Sequence, residues 1–182
     1  SKELQPVWHK IWAFHLLTGV RSGEGYALNK TDVDLEQGNI MIDKAWTIKT
    51  GIKSTKTGQW RIVPISKALM PLIIELMTDD STGSQLLPHP SQWTKGEQAR
   101  VIRGFCSGIG ITPIRFHDLR ATFITQLFKD GASIAEVQAV VGHTDLKTTQ
   151  RYLRLAGVDV EGVTDKLNIS MPTDVGDRKS VV

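Results

Sequence analysis

The sequence predicts a mixed α/β fold, mainly α-helical with a small antiparallel sheet. Three observations carry this expectation. The opening segment places apolar residues at helical spacing. The stretch from Asp32 to Pro64 changes to short segments rich in Val, Ile, Trp and Thr, separated by turn sequences. The last third is a series of helical patterns with short breaks. With 182 residues, the chain is long enough for one domain with its own core.

The first helix is expected over Pro6 to Leu17, where Val7, Ile11, Phe14 and Leu17 share a face and Thr18-Gly19 ends the pattern. A second, shorter helix is expected from Ser22, read as its N-cap, to about Leu28. Glu36-Gln37-Gly38-Asn39 and Lys56-Thr57-Gly58-Gln59 read as turns between strands, which puts Lys56 at or beside a hairpin tip. Helix returns from Ser66 through Met77, followed by a loop over Asp79 to Pro90 and a helix over Lys95 to Ser107. Further helices are expected over Phe116 to Lys129, Ser133 to Val141, Asp145 to Arg154 and Val158 to Leu167. Asp130-Gly131 and Gly142 act as stops, and Ser133 and Thr144 or Asp145 as caps. Residues 169–182 are too polar to fold alone and read as a tail.

Composition narrows the function. The single cysteine, Cys106, cannot form an internal disulfide and gives no support for a thiolate metal site, so the expected compartment is the cytosol. No apolar run approaches the roughly 20 residues that cross a bilayer, and no signal-peptide layout is present. The net charge of +3 leans mildly towards an anionic partner. The cations fall in two bands: Lys44, Lys49, Lys53, Lys56 and Arg61, then Arg100, Arg103, Arg115 and Arg120. Two bands can hold a phosphate backbone, although from charge alone a pair of solvated faces is the plainer reading.

Certain residues carry chemistry. His117 and Arg120 stand three apart near the start of a helix, where free N–H groups and the dipole already favour an anion. Arg21 lies at the junction of the first two helices with Glu24 three residues on. Glu24 has two readings: it holds Arg21 or His117 through a charge-assisted hydrogen bond, or it favours its own helix N-terminus. His143 follows Gly142 between two helices, and Tyr152 lies nine residues later. Each of these has an ordinary structural reading when taken singly: a helix-start His, a surface Arg, an amphipathic Tyr.

Their order is more specific than any member. Thr18-Gly19-Val20-Arg21-Ser22-Gly23-Glu24, Thr55-Lys56-Thr57-Gly58 before Arg61-Ile62-Val63-Pro64-Ile65, His117-Asp118-Leu119-Arg120, Gly142-His143-Thr144 and Tyr152 occur in that sequence. The chain resembles the catalytic domain of the tyrosine recombinases, the phage integrase family, from about Val7 to Leu155. The resemblance implies a catalytic domain over residues 1–168, an active site of Arg21, Glu24, Lys56, His117, Arg120, His143 and Tyr152, and double-stranded DNA as partner. It also implies a homo-oligomer, tetrameric in the synaptic complex, with the tail exchanged between protomers or disordered, and a DNA-clamping N-terminal domain upstream in the parent protein. Gly25 departs from the family pattern, which has a larger apolar residue there.

By the same resemblance, Tyr152 is the nucleophile that forms a 3′-phosphotyrosyl link. Arg21, Arg120 and His143 bind the phosphate, His117 is the general base, Lys56 the general acid and Glu24 a positioning group. No cofactor or metal is implied. The outcome is site-specific integration or excision of phage or other mobile DNA at the host nucleoid. The alternatives are a type IB topoisomerase or telomere-resolving enzyme with the same chemistry, and a non-catalytic helix-turn-helix module over Phe116 to Val141.

Overall fold

The computed structural model describes residues 4–54, 60–142 and 146–157. Lys56, His143 and the helix expected over Val158 to Leu167 lie outside the described residues.

Helix α1 (Leu4–Thr18) buries Trp8, Ile11 and Phe14, and it closes where Gly19 N–H donates to His15 O at 2.9 Å. Helix α2 (Ser22–Ala27) follows at once, but its N-cap is Arg21, not Ser22. The Ser22 hydroxyl is engaged elsewhere, accepting from the indole N–H of Trp93 at 3.0 Å.

The expected single sheet is divided in two. Strands β1 (Val33–Asp34), β2 (Asn39–Ile42) and β5 (Arg61–Pro64) form one antiparallel sheet in the order β1-β2-β5, while β3 (Lys44–Thr47) and β4 (Gly51–Ser54) pair as a separate hairpin. In β2, Ile40 and Ile42 are buried and Met41 is exposed, the alternation of a strand with one face on a core. Ile40 lies opposite Val63 and Ile42 opposite Arg61, so Arg61 shares an inward face with Val63. The hairpin tip among the described residues is the β3–β4 turn, where Thr50 N–H donates to Thr47 O at 3.3 Å.

Helix α3 (Met70–Thr78) packs Ile73 and Leu76 inward. The helix expected over Lys95 to Ser107 is α5 (Gln98–Gly108), which begins three residues later than expected, and a short helix α4 (Ser91–Thr94) that was not expected precedes it. Trp93 accounts for α4: its ring is fully buried on that turn, and the chain redirects at Gly96 before Ile102 and Cys106 reach the same core.

Helices α6 (Phe116–Lys129), α7 (Ile134–Val141) and α8 (Leu146–Leu155) complete the described chain. Ser133 caps α7, its hydroxyl accepting from Glu136 N–H at 3.2 Å, and Gly142 ends it in a left-handed conformation with φ +67°. Two apolar clusters result. Phe116 and Leu119 belong to the large one with α1 and the sheet, whereas Ile124 and Phe128 join Val137 and Val141 in a second, against which Tyr152 and Leu153 pack. Helix α6 thus crosses from one core to the other, and His117 and Arg120 lie on its N-terminal half.

Candidate active site

The site begins with a buried carboxylate. Glu24, 3 % exposed, accepts from the Arg21 backbone N–H at 2.7 Å through Oε2, one half of a capping box. Its Oε1 accepts from Arg21 Nη1 at 2.8 Å. A second guanidinium reaches it from β5: Arg61 Nη1 donates to Oε1 at 3.0 Å and Nη2 to Oε2 at 2.6 Å. Burial alone would push the Glu24 carboxyl up, but the hydrogen bonds and charge of Arg61, and then Arg21, hold it at about 2. Both oxygens are committed to Arg21 and Arg61, so of the two partners expected from sequence, Arg21 is the one Glu24 holds.

Arg120 is 2 % exposed and bridges two parts of the chain. Its Nη1 donates to Gly19 O at 2.5 Å, at the α1–α2 corner, and Nη2 to Val141 O at 2.7 Å, at the end of α7. These bonds use two of the five N–H donors of a guanidinium. Burial, and then the positive charge of Arg21, lower its pKa to about 10, still fully cationic near neutrality.

Arg21, His117 and Arg120 line one cavity of about 360 Å³, together with Arg103 and Arg115. Arg21 is 48 % exposed at the side chain, so its guanidinium remains open to an incoming anion. His117 also lines an adjoining groove of about 580 Å³ with Arg115, Arg151 and Tyr152. His117 and Arg115 therefore stand where the two meet. The His117 imidazole is held below its ordinary pKa of 6.5, first by loss of water and then by the Arg120 charge, with Asp118 opposing. Tyr152, half-buried on α8, lies within electrostatic reach of both Arg115 and Arg120.

Of the seven residues expected from sequence, Arg21, His117, Arg120 and Tyr152 line these two spaces, which share His117 and Arg115, and Glu24 lies behind Arg21 without lining either. Lys56 and His143 lie outside the described residues. Sequence reasoning missed Arg61, which it grouped with a basic band. Its side chain is only 10 % exposed and its charge faces inward. The available signal was period-two alternation, because Arg61 and Val63 fall on one face of β5. Lys44 in the same band is likewise paired, 2.7 Å from Asp32. Lys49 and Lys53 are exposed, as a solvated band requires.

Comparison with known proteins gives the family. Residues 3–157 match the sequence model of the phage integrase family. The chain belongs to the phage integrase family. Among curated relatives, the tyrosine recombinase XerD of Neisseria meningitidis serogroup B is 30 % identical over 157 residues, which cover 80 % of this chain and 50 % of that protein. The tyrosine recombinase XerA of Thermococcus kodakarensis is 29 % identical over 145 residues, 75 % of this chain and 47 % of the relative. This phage integrase family chain thus spans about half the length of the curated relatives it matches. The fold recurs in the Tn1549 transposon integrase, solved in complex with a circular intermediate DNA, with a TM-score of 0.66 and 20 % identity over 79 % of this chain and 53 % of that one. It recurs in the catalytic domain of bacteriophage HP1 integrase, with a TM-score of 0.58 and 22 % identity over 88 % and 82 % of the two chains. Among the described residues, no helix is long and apolar enough to cross a membrane.

Proposed function

We propose that this chain is the catalytic domain of a site-specific DNA recombinase that cleaves and rejoins strands through a covalent bond to Tyr152. The observation that carries the reading is the sharing of His117 between the cavity of Arg21 and Arg120 and the groove of Tyr152. A scissile phosphate in the first space faces two guanidiniums, with the phenol approaching from the second.

The Tyr152 oxygen attacks phosphorus in line, the bond to the 5′-oxygen breaks, and a 3′-phosphotyrosyl link and a 5′-hydroxyl result. A 5′-hydroxyl from the partner strand then attacks the link and releases Tyr152. A phenol has an ordinary pKa of about 10, so its proton must leave as it attacks. His117, held neutral by its surroundings, accepts it. Arg21 and Arg120, with His143, stabilise charge on the nonbridging oxygens. A well-placed donor contributes about 3 kcal/mol, against the roughly 8 to 23 kcal/mol by which enzymes lower barriers, so several are required. Lys56 protonates the departing 5′-oxygen. Glu24 fixes the direction of Arg21.

The partner is duplex DNA, and two duplexes joined by four protomers would give strand exchange in the cytoplasm. The recombinase and integrase names of the relatives favour this outcome over relaxation by a topoisomerase or telomere resolution. On a nicked suicide substrate, the chain should give an SDS-resistant adduct that Tyr152→Phe abolishes with DNA binding retained; an adduct with the Phe variant contradicts the assignment. Lys56→Ala should regain cleavage on a substrate with a 5′-bridging sulfur, whose leaving group needs no proton. Continued loss of cleavage there would remove Lys56 from the role of acid.

A further inference from the structure

Helix α7 ends on three consecutive carbonyls, and each accepts from a different arginine. Arg61 Nε donates to Val140 O at 2.8 Å, Arg120 Nη2 to Val141 O at 2.7 Å, and Arg21 Nη2 to Gly142 O at 3.3 Å. The last carbonyls of a helix have no partners within it, and the dipole there is negative, so cations are favoured on both counts. Two of the three arginines line the cavity where the phosphate is proposed to bind. Arg61 does not line it.

We infer that Arg61 is a positioning residue for the cleavage reaction, locking the Arg21–Glu24 pair to the end of α7. This rests on the recombinase reading above. The geometry requires a guanidinium. One edge of the planar fork meets both oxygens of Glu24 while Nε points along another direction to Val140 O. An ammonium is a point charge and lacks this fixed fork. The backbone folds closely over the group: at Gly142, with φ +67°, an added Cβ would lie 2.9 Å from Arg61 Cδ. Helix α7 therefore ends against Arg61, and the next residue in the chain is His143. Through Glu24, the same guanidinium fixes Arg21. Arg61 thus ties Arg21, through Glu24, to the helix end that Arg120 also binds, without lining the cavity proposed for the phosphate.

The test compares the full chain with its Arg61→Lys and Arg61→Ala variants on a nicked suicide substrate, measuring cleavage at saturating DNA and DNA affinity separately. A misplaced binding group costs on the order of a hundredfold in rate. Arg61→Lys should therefore lower the single-turnover rate roughly ten- to a hundredfold while DNA affinity changes little. Added methylguanidinium, but not methylammonium, should restore part of the rate of Arg61→Ala. Wild-type rates from Arg61→Lys, or a defect confined to DNA affinity, overturn the inference while leaving the recombinase reading intact. Equal rescue by the two additives also overturns it. If the wild-type chain gives no adduct, the recombinase reading fails and the role of Arg61 fails with it.

Discussion

The imidazole of His15 occupies the space a side chain at position 25 would need: a Cβ on Gly25 would lie 2.5 Å from His15 Nε2. His15 is 1 % exposed, donates from Nδ1–H to Ile11 O at 2.7 Å, and packs edge-on against Phe116, the first residue of α6. A bulky residue on α1 thus takes the volume given up by α2. The departure of Gly25 from the family pattern is explained by its neighbour.

Helix propensity alone predicts that Gly25→Ala stabilises α2 by about 0.5 to 1 kcal/mol. The clash with His15 reverses the sign, and the substitution should cost about 1 to 3 kcal/mol, the usual range for overpacking. In a His15→Ala background the clash is gone and the same change should stabilise by about 0.5 to 1 kcal/mol, the gain in helix propensity. Urea unfolding of the four proteins measures the coupling, and additive effects would contradict this account.

Acid should destabilise the fold in two windows. Burial lowers His15 from 6.5 to about 4, so its contribution is complete above pH 6.5 and is lost as pH falls towards 4, by about 3 kcal/mol. Glu24, depressed from 4.5 to about 2, contributes a similar amount above pH 4.5, lost as pH falls through 2. Stability measured against pH should lose the largest part of the upper slope in His15→Leu, leaving the share of the other depressed histidines, His89 and His117, and should keep the lower one. An unchanged upper slope would show that His15 does not titrate there.

Arg120→Met keeps length and apolar bulk but leaves Gly19 O and Val141 O without their donor. Buried carbonyls so stranded cost about 1 to 3 kcal/mol each. Thermal or urea unfolding should show a loss of about 2 to 5 kcal/mol, and cleavage should be abolished. Wild-type stability would mean that the two carbonyls find other partners at no cost.

If His117 is the base, its neutral form must persist to lower pH than that of an ordinary histidine. The acid limb of the single-turnover cleavage rate should therefore fall at a pH below 6.5. In an Arg120→Met variant that limb cannot be read, so the measurement belongs to the wild-type chain. A limb at or above 6.5 would contradict His117 as base.

Much of the fold was legible because local signals agreed with tertiary structure. Phe116 to Lys129 is a helix with the expected bounds, and Ser133 and Gly142 cap and end α7 as their types suggest. The misreadings share a cause: a contact from far along the chain displaced a local preference. Ser22 is a good N-cap by type, but Trp93, 71 residues away in sequence, takes its hydroxyl. Arg61 looked solvated because the acid it pairs with lies 37 residues upstream. Arg21, Glu24, His117, Arg120 and Tyr152 were singled out as a set by their order, whereas the arginine cap on α7 left no such signal. Its donors come from three elements, and main-chain carbonyls leave no mark in a sequence.

The central claim is that Tyr152 forms the covalent link, and the chain has two tyrosines. Digestion of the suicide-substrate adduct at lysines separates them, into the peptide Thr148 to Lys166 with Tyr152 and the peptide Ile11 to Lys30 with Tyr26. Mass spectrometry should find the nucleotide on the first. A nucleotide on the second, or on neither, would contradict the account.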